Sequence, residues 1–253
     1  MVTMNQVHAR VEAPVVVPHP FGLFSIAPPA SPTDTSWQAG AMWESWACVD
    51  AALTTDPCIS GAAQNPKDFD FCGWLGQYRP ITVYLGIKGS GASADVAAAT
   101  ALATLQGAEE TAIEEHVWAQ FGAAATPVSA TSLPLALAQV EAALARHYKG
   151  TGVIHMNRGV ATLLSTHLVN KGDHLETFTG TPVVAGSGYN QELSDEPVGG
   201  DAVIFGTGAF AVRRSDVLAF DAWDTAINDH LALAERTYVA GWDCYITGRT
   251  ATV

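Results

Sequence analysis

Between Ser93 and Phe121 the chain runs without proline, and this stretch limits the fold more than any other feature. Ser93 can cap a helix opening at Ala94, and Asp95 puts an acid in the first turn, where the helix dipole favours it. Leu102, Leu105, Ala112, Ile113, Val117 and Phe121 fall largely on one stripe, with Glu109, Glu110, Glu114 and Glu115 mostly on the other side. A helix of about 28 residues is a rod of roughly 42 Å. That is long for an ordinary globular domain.

The N-terminal segment obeys the opposite grammar. Pro14, Pro18, Pro20, Pro28, Pro29 and Pro32 fall within residues 1–36, a density that forbids helix and central strand and predicts an extended arm. Phe21, Leu23, Phe24 and Ile26 give that arm apolar content, so it needs a surface to dock on. From Trp37 to Gly76 the chain is aromatic and irregular, and Ile81 to Ile87 follows as an apolar strand candidate.

A second helix is expected after Ser132, with Pro134 in its first turn and Gly150 and Gly152 beyond its end. Strand patterns follow at Val153 to Met156, Thr181 to Ala185, Ala202 to Phe205 and Ala209 to Arg213, with a short helix from Arg158 to His167. The fold class is mixed, α+β.

Composition excludes several functions. With 25 acidic and 12 basic residues the net charge is −13, and tight binding to a phosphate backbone draws on clustered Lys and Arg, so no specific nucleic-acid contact is expected. Only 15% of residues are charged, against roughly 25% in an average domain, so much of the surface is expected to meet protein rather than water. No apolar run reaches the roughly 20 residues of a membrane span and no secretory leader is visible, which predicts a soluble cytoplasmic product and no membrane partner.

The motifs that carry chemistry are weak. Gly86 to Ser93 is glycine-rich before a helix, but Lys88 precedes the glycine pair instead of following it, so a flexible loop is the better reading than a phosphate loop. Ala185 to Tyr189 places Ser187 between glycines without the nucleophile-elbow pattern; a turn after a strand explains it better. The histidines, His167 and His174 included, lack metal-ligand spacing. Asp221, Asp224 and Asp229, with Glu192, Asp195 and Glu196, read as solvated acidic faces, and Arg213 and Arg214 as a salt-bridging pair. Cys48, Cys58, Cys72 and Cys244 are widely spaced and read as buried free thiols, a disulfide remaining open as a particle staple. No catalytic residue, cofactor or metal is assigned, and the chain is not expected to be an enzyme.

The order of elements resembles the tailed-phage major coat protein fold first seen in the Hong Kong phage and shared by encapsulin shells. Residues 1–66 resemble the extended N-arm with an aromatic irregular region, and 67–92 the projecting loop. Residues 93–130 resemble the peripheral domain with its spine helix, and 131–253 the axial α/β domain with a returning C-terminal strand. Leu175 to Val184 looks like the Leu-x-Gly-x-Pro-Val-Val segment of many coats, Ala202 to Val212 like the paired strands that follow, and Glu235 to Ile246 like the last strand. No lysine and asparagine pair matches the family's covalent cross-link; Lys67, Lys88 and Asn190 are candidates by position alone.

The resemblance implies a self-assembling capsid subunit forming pentamers and hexamers of an icosahedral virion shell around DNA. Portal, decoration or other capsid proteins are its further partners. A minor virion protein or compartment shell, and from another class an α/β enzyme or small-molecule binding domain, are the alternatives. An extended arm and loop hide their apolar residues on neighbours, not within the same chain. Candidate subunit-interface residues are Phe21, Phe24, Trp37, Trp43, Trp46, Trp74, Ile81 and Tyr84, the tryptophans filling either contacts or the subunit core.

Overall fold

The computed structural model describes residues 17–51, 73–89, 94–189, 201–224 and 229–252. After a one-turn helix α1 (Leu23–Ile26), β1 (Ala41–Ser45) pairs antiparallel with β2 (Trp74–Tyr78) as a two-stranded ribbon. Next come β3 (Ile81–Gly89) and the long helix α2 (Ala94–Ala124), whose 31 residues span about 47 Å. β4 (Val128–Ala130), α3 (Leu133–His147), β5 (Val153–Asn157) and α4 (Arg158–Leu163) follow. The chain then adds β6 (Leu168–Asn170), β7 (Leu175–Thr177), β8 (Pro182–Gly186), β9 (Asp201–Thr207) and β10 (Phe210–Arg214). It ends in β11 (Leu218–Asp224), β12 (Asp229–Trp242) and β13 (Ile246–Thr252).

Seven strands form one sheet in the order β4, β13, β9, β5, β8, β7, β6. Alternation sorts its two faces. Ile154, Met156, Val183, Ala185 and Ile204 pack under Leu137, Val140 and Leu144 of α3, while Val153, Val184 and Phe205 face Ile113, Val117 and Phe121 of α2. α3 starts as expected, with Ser132 Oγ accepting the Leu135 N–H and Pro134 in the first turn.

The second sheet is built on β12. β10 and β11 pair along one edge, and β3 along the other. Ile81 to Gly89 is therefore not half of a two-stranded projecting loop within 67–92. It belongs to the sheet body, and the ribbon instead joins strands about 30 residues apart. The last segment is likewise two strands, broken at Asp243 to Tyr245; β11 pairs antiparallel with Asp229 to Glu235 of β12, and Asp221 on it is exposed, as read for a solvated acid.

α2 links the two sheets because its buried stripe winds around it. Ala97, Ala101, Leu105, Glu109, Ile113, Val117 and Phe121 recur every fourth residue. On a 3.6-residue helix each such step turns the stripe by about 40°. Ala97, Ala101 and Leu105 meet Ala232 and Ala234 of β12, whereas Ile113, Val117 and Phe121 meet the seven-stranded sheet. Glu109 sits at the crossover, 5% exposed, with Arg236 Nη1 at 2.9 Å and Arg214 Nη1 at 3.6 Å. The reading of the glutamates as the solvent side of α2 is corrected here: Glu109 and Glu114 are buried, because guanidinium and backbone N–H groups meet them.

Candidate functional site

The described part of the arm docks on its own chain. Leu23 and Phe24 open α1, where N–H groups have no partner within the helix. Glu114 Oε1 accepts the Leu23 N–H at 2.8 Å and Glu110 Oε1 accepts that of Phe24 at 2.7 Å. Glu114 Oε2 reaches the other way, to the Gly188 N–H at 2.8 Å and the Ser187 hydroxyl at 3.1 Å. One side chain thus joins arm, spine and the turn after β8. Glycine is needed in that turn, since a Cβ on Gly188 would lie 2.3 Å from the Thr111 carbonyl oxygen. Burial pushes the Glu110 carboxyl up to about 7, opposed by the Phe24 N–H.

Two further contacts hold the arm. Phe21 takes a left-handed φ of 67°, strained for an aromatic residue, while its carbonyl accepts the Ala185 N–H at 2.8 Å. Arg158 Nη1 donates to Pro20 O at 2.6 Å. Leu23 is fully buried. The expectation that the arm's apolar residues are hidden only on neighbours is therefore corrected for residues 20–30. The segment is also not wholly extended, because Pro20 and Pro28 leave room between them for one helical turn.

The eight candidate interface residues fall in different places. Trp37 is 5% exposed and belongs to the subunit's own interior. Phe21 and Phe24 are half-buried in the arm contact, Phe24 with its ring stacked 6.1 Å from Tyr238, and Ile81 packs on the aromatic core. Trp43 stacks on Tyr78 at 4.4 Å, and Trp74 is half-buried over Gly76. Trp46 and Tyr84 face solvent, at 52% and 68% exposure.

Tyr84 stands in a larger apolar surface that sequence reasoning missed. The register sets Tyr84 beside Glu235 and Leu218, and Gly86 beside Leu233 and Phe220. Residues directly opposite share a face. Leu218, Phe220, Leu231 and Tyr84 therefore lie exposed on the side of the sheet turned away from α2, and no atom lies within 4 Å of where a Cβ on Gly86 would sit. The period-two run Leu218, Phe220, Ala222 was the signal, hidden by the neighbouring aspartates. The ribbon adds exposed Met42 and Leu75.

Two histidines outside these contacts are held by hydrogen bonds. His155 is fully buried, with Nδ1 3.0 Å from Tyr189 Oη and Nε2 3.0 Å from Thr207 Oγ1, and burial lowers it to about 3. His174 lies between Asp173 and Glu176, whose hydrogen bonds raise it, Glu176 contributing most. Among the described residues no three His, Cys, Asp or Glu side chains converge as a metal site. Within the same residues no helix is long and apolar enough to cross a membrane. Cys48 and Cys244 form a disulfide within the chain, which corrects the free-thiol reading for these two; Cys58 and Cys72 lie outside the described residues.

No protein-family model and no curated protein matches the chain. Solved structures do. The chain resembles the capsid of Ralstonia phage GP4 over 99% of its own length and 96% of the other's, with a TM-score of 0.58 and 9% identity. It resembles the capsid of an empty GTA particle over 96% and 100%, at 0.54 and 12%. The likeness to the Gordonia phage Cozz structure covers 98% and 92%, at 0.54 and 10%. The chain has the tailed-phage coat fold, α+β, with the long helix α2 packed on two sheets.

Proposed function

We propose that this chain is a structural coat subunit that associates with copies of itself into the pentamers and hexamers of a tailed-phage-type shell. The observation that carries the reading is end-to-end likeness: both this chain and the matched capsid chains are covered almost completely. The virion is the compartment this implies, and DNA the content of the shell. The ribbon β1–β2, whose second strand lies within residues 67–92, is the element that reaches toward neighbours, carrying Met42 and Leu75, with Trp46 just beyond it.

The outer face of the β12 sheet supports the same reading. Leu218, Phe220, Leu231 and Tyr84 are exposed there, sharing the face with Glu235 and Lys88, on a chain in which charged side chains are scarce, and exposed apolar patches rimmed by polar residues mark association surfaces. Light scattering after size exclusion, with electron microscopy of the heavy fraction, tests the proposal. Capsomers or closed particles are expected. The double variant Phe220→Ser, Tyr84→Ser is expected to stay folded and to lose them. A full chain that stays monomeric at assembly concentrations and across salt conditions sinks the reading.

A further inference from the structure

We infer that Cys48 and Cys244 form a reversible redox latch that fixes the Ser45 end of the β1–β2 ribbon to the subunit body. The inference rests on the coat reading only for its use in assembly; the latch itself is a property of the single chain. Cys48 lies three residues past β1, and Cys244 lies in the turn between β12 and β13, 196 residues away in sequence with Cα atoms 6.1 Å apart.

The two ends of the ribbon are held differently. β2 docks through Tyr78, whose ring stacks on Trp43 and meets Trp242 edge-on at 5.5 Å, and whose hydroxyl donates to the Trp242 carbonyl. A Cβ on Gly241 would fall within 2.4 Å of that ring, so this contact is close-packed. β1 itself follows the buried Trp37 and stacks Trp43 on Tyr78, and the stretch past its Ser45 end is held differently. Apart from the disulfide, residues 46–51 meet the body through the Lys149 N–H donating to the Ala47 carbonyl at 2.8 Å and an ion pair between Lys149 and Asp50. That pair is largely exposed, the kind that contributes little. The covalent bond is therefore the strongest tie of residues 46–51, beyond the Ser45 end, to the body.

The Cys244 side is preset. The Cys244 N–H donates to Asp243 Oδ1 at 2.9 Å, the Asp243 N–H to Ala209 O at 2.8 Å, and Asp243 Oδ2 accepts the Tyr148 hydroxyl at 3.0 Å. The turn is held without the disulfide, so opening the bond frees the Cys48 side. Both cysteines are half-buried, within reach of a small thiol. In a reducing compartment the pair stays as thiols; in an oxidising medium the bond persists.

Closure needs an oxidant, and glutathione disulfide suffices chemically. The Cys48 thiolate attacks it to give a mixed disulfide and one glutathione thiolate. The Cys244 thiolate then attacks the Cys48 sulfur and expels the second. Two cysteine thiols lose two protons and two electrons, and one glutathione disulfide becomes two glutathiones. The latch lets the ribbon pivot while subunits associate and locks its angle afterwards.

The test uses the full chain, purified under reductant and then equilibrated with glutathione disulfide. Peptide mapping is expected to find Cys48 joined to Cys244. Hydrogen exchange over residues 45–51 is expected to slow roughly tenfold on oxidation, with the Ile81–Gly89 strand unchanged. Cys48→Ser and Cys244→Ser should each behave as the reduced protein at any redox poise. Cys48 found paired with Cys58 or Cys72, thiols that stay free at oxidising poise, or identical exchange in both states overturns the inference. These readouts need no particle, so failure of the latch and failure of the coat reading are separable; particle size is measured in parallel.

Discussion

Glu114 is the side chain whose replacement reports most directly on how the arm is held. Its carboxyl group is fully buried and accepts the Leu23 N–H through one oxygen, and the Gly188 N–H and Ser187 hydroxyl through the other. Glu114→Ala leaves two buried N–H groups without their acceptor, each worth about 1–3 kcal/mol. The expected loss is therefore about 2–6 kcal/mol. Glu114→Gln has nearly the same shape and one remaining acceptor, but its NH2 must point at either Leu23 or Gly188, donor against donor. The near-isostere should therefore cost about 2–3 kcal/mol and fail to rescue. Urea unfolding of the dissociated subunit measures the loss, and hydrogen exchange at Leu23 and Gly188 shows where it occurs. Glu115→Gln, on the exposed face one residue on, is the control and should stay within about 0.5 kcal/mol. A Glu114→Gln variant as stable as wild type, with Leu23 still protected, would refute the reasoning.

Arg236→Met leaves Glu109 buried with only the longer contact to Arg214, which should destabilise the subunit by about 3–5 kcal/mol, whereas the pair Glu109→Met, Arg236→Met should recover most of it in the same urea assay. The pH profile contains two opposed slopes. Glu110, raised by burial to about 7, binds a proton more readily folded than unfolded, so its stabilisation is full below about 4.5 and fades as pH rises through 7; for this partly exposed group it amounts to about 1–2 kcal/mol. His155, lowered by burial to about 3, acts in reverse, and stability drains by about 4–5 kcal/mol as pH falls from 6.5 toward 3. Glu110→Gln should steepen acid denaturation between about pH 6.5 and 4.5 by removing the compensating slope; an unchanged profile rules out the Glu110 assignment.

What the sequence made legible follows from locality. The Ser132 cap, Pro134 at the first turn and the short apolar run from Val153 to Met156 are short-range signals, and each element lies where those signals put it. The disulfide joins residues 196 apart and the ribbon joins strands separated by about 30, so neither leaves a local trace. The glutamates of α2 were misplaced for a different reason. A stripe drawn at period 3.6 stays on one side of a helix, but the buried set here repeats every fourth residue and rotates, because α2 serves two sheets in succession. Where the stripe crosses from one sheet to the other there is no single apolar surface to pack against. At that point the chain places Glu109 against Arg236 and Arg214, and over the next five residues Glu110 and Glu114 against backbone N–H groups of the arm and the β8 turn. Acids in the middle of a long helix therefore marked the junction of the fold's parts, not its exposed side.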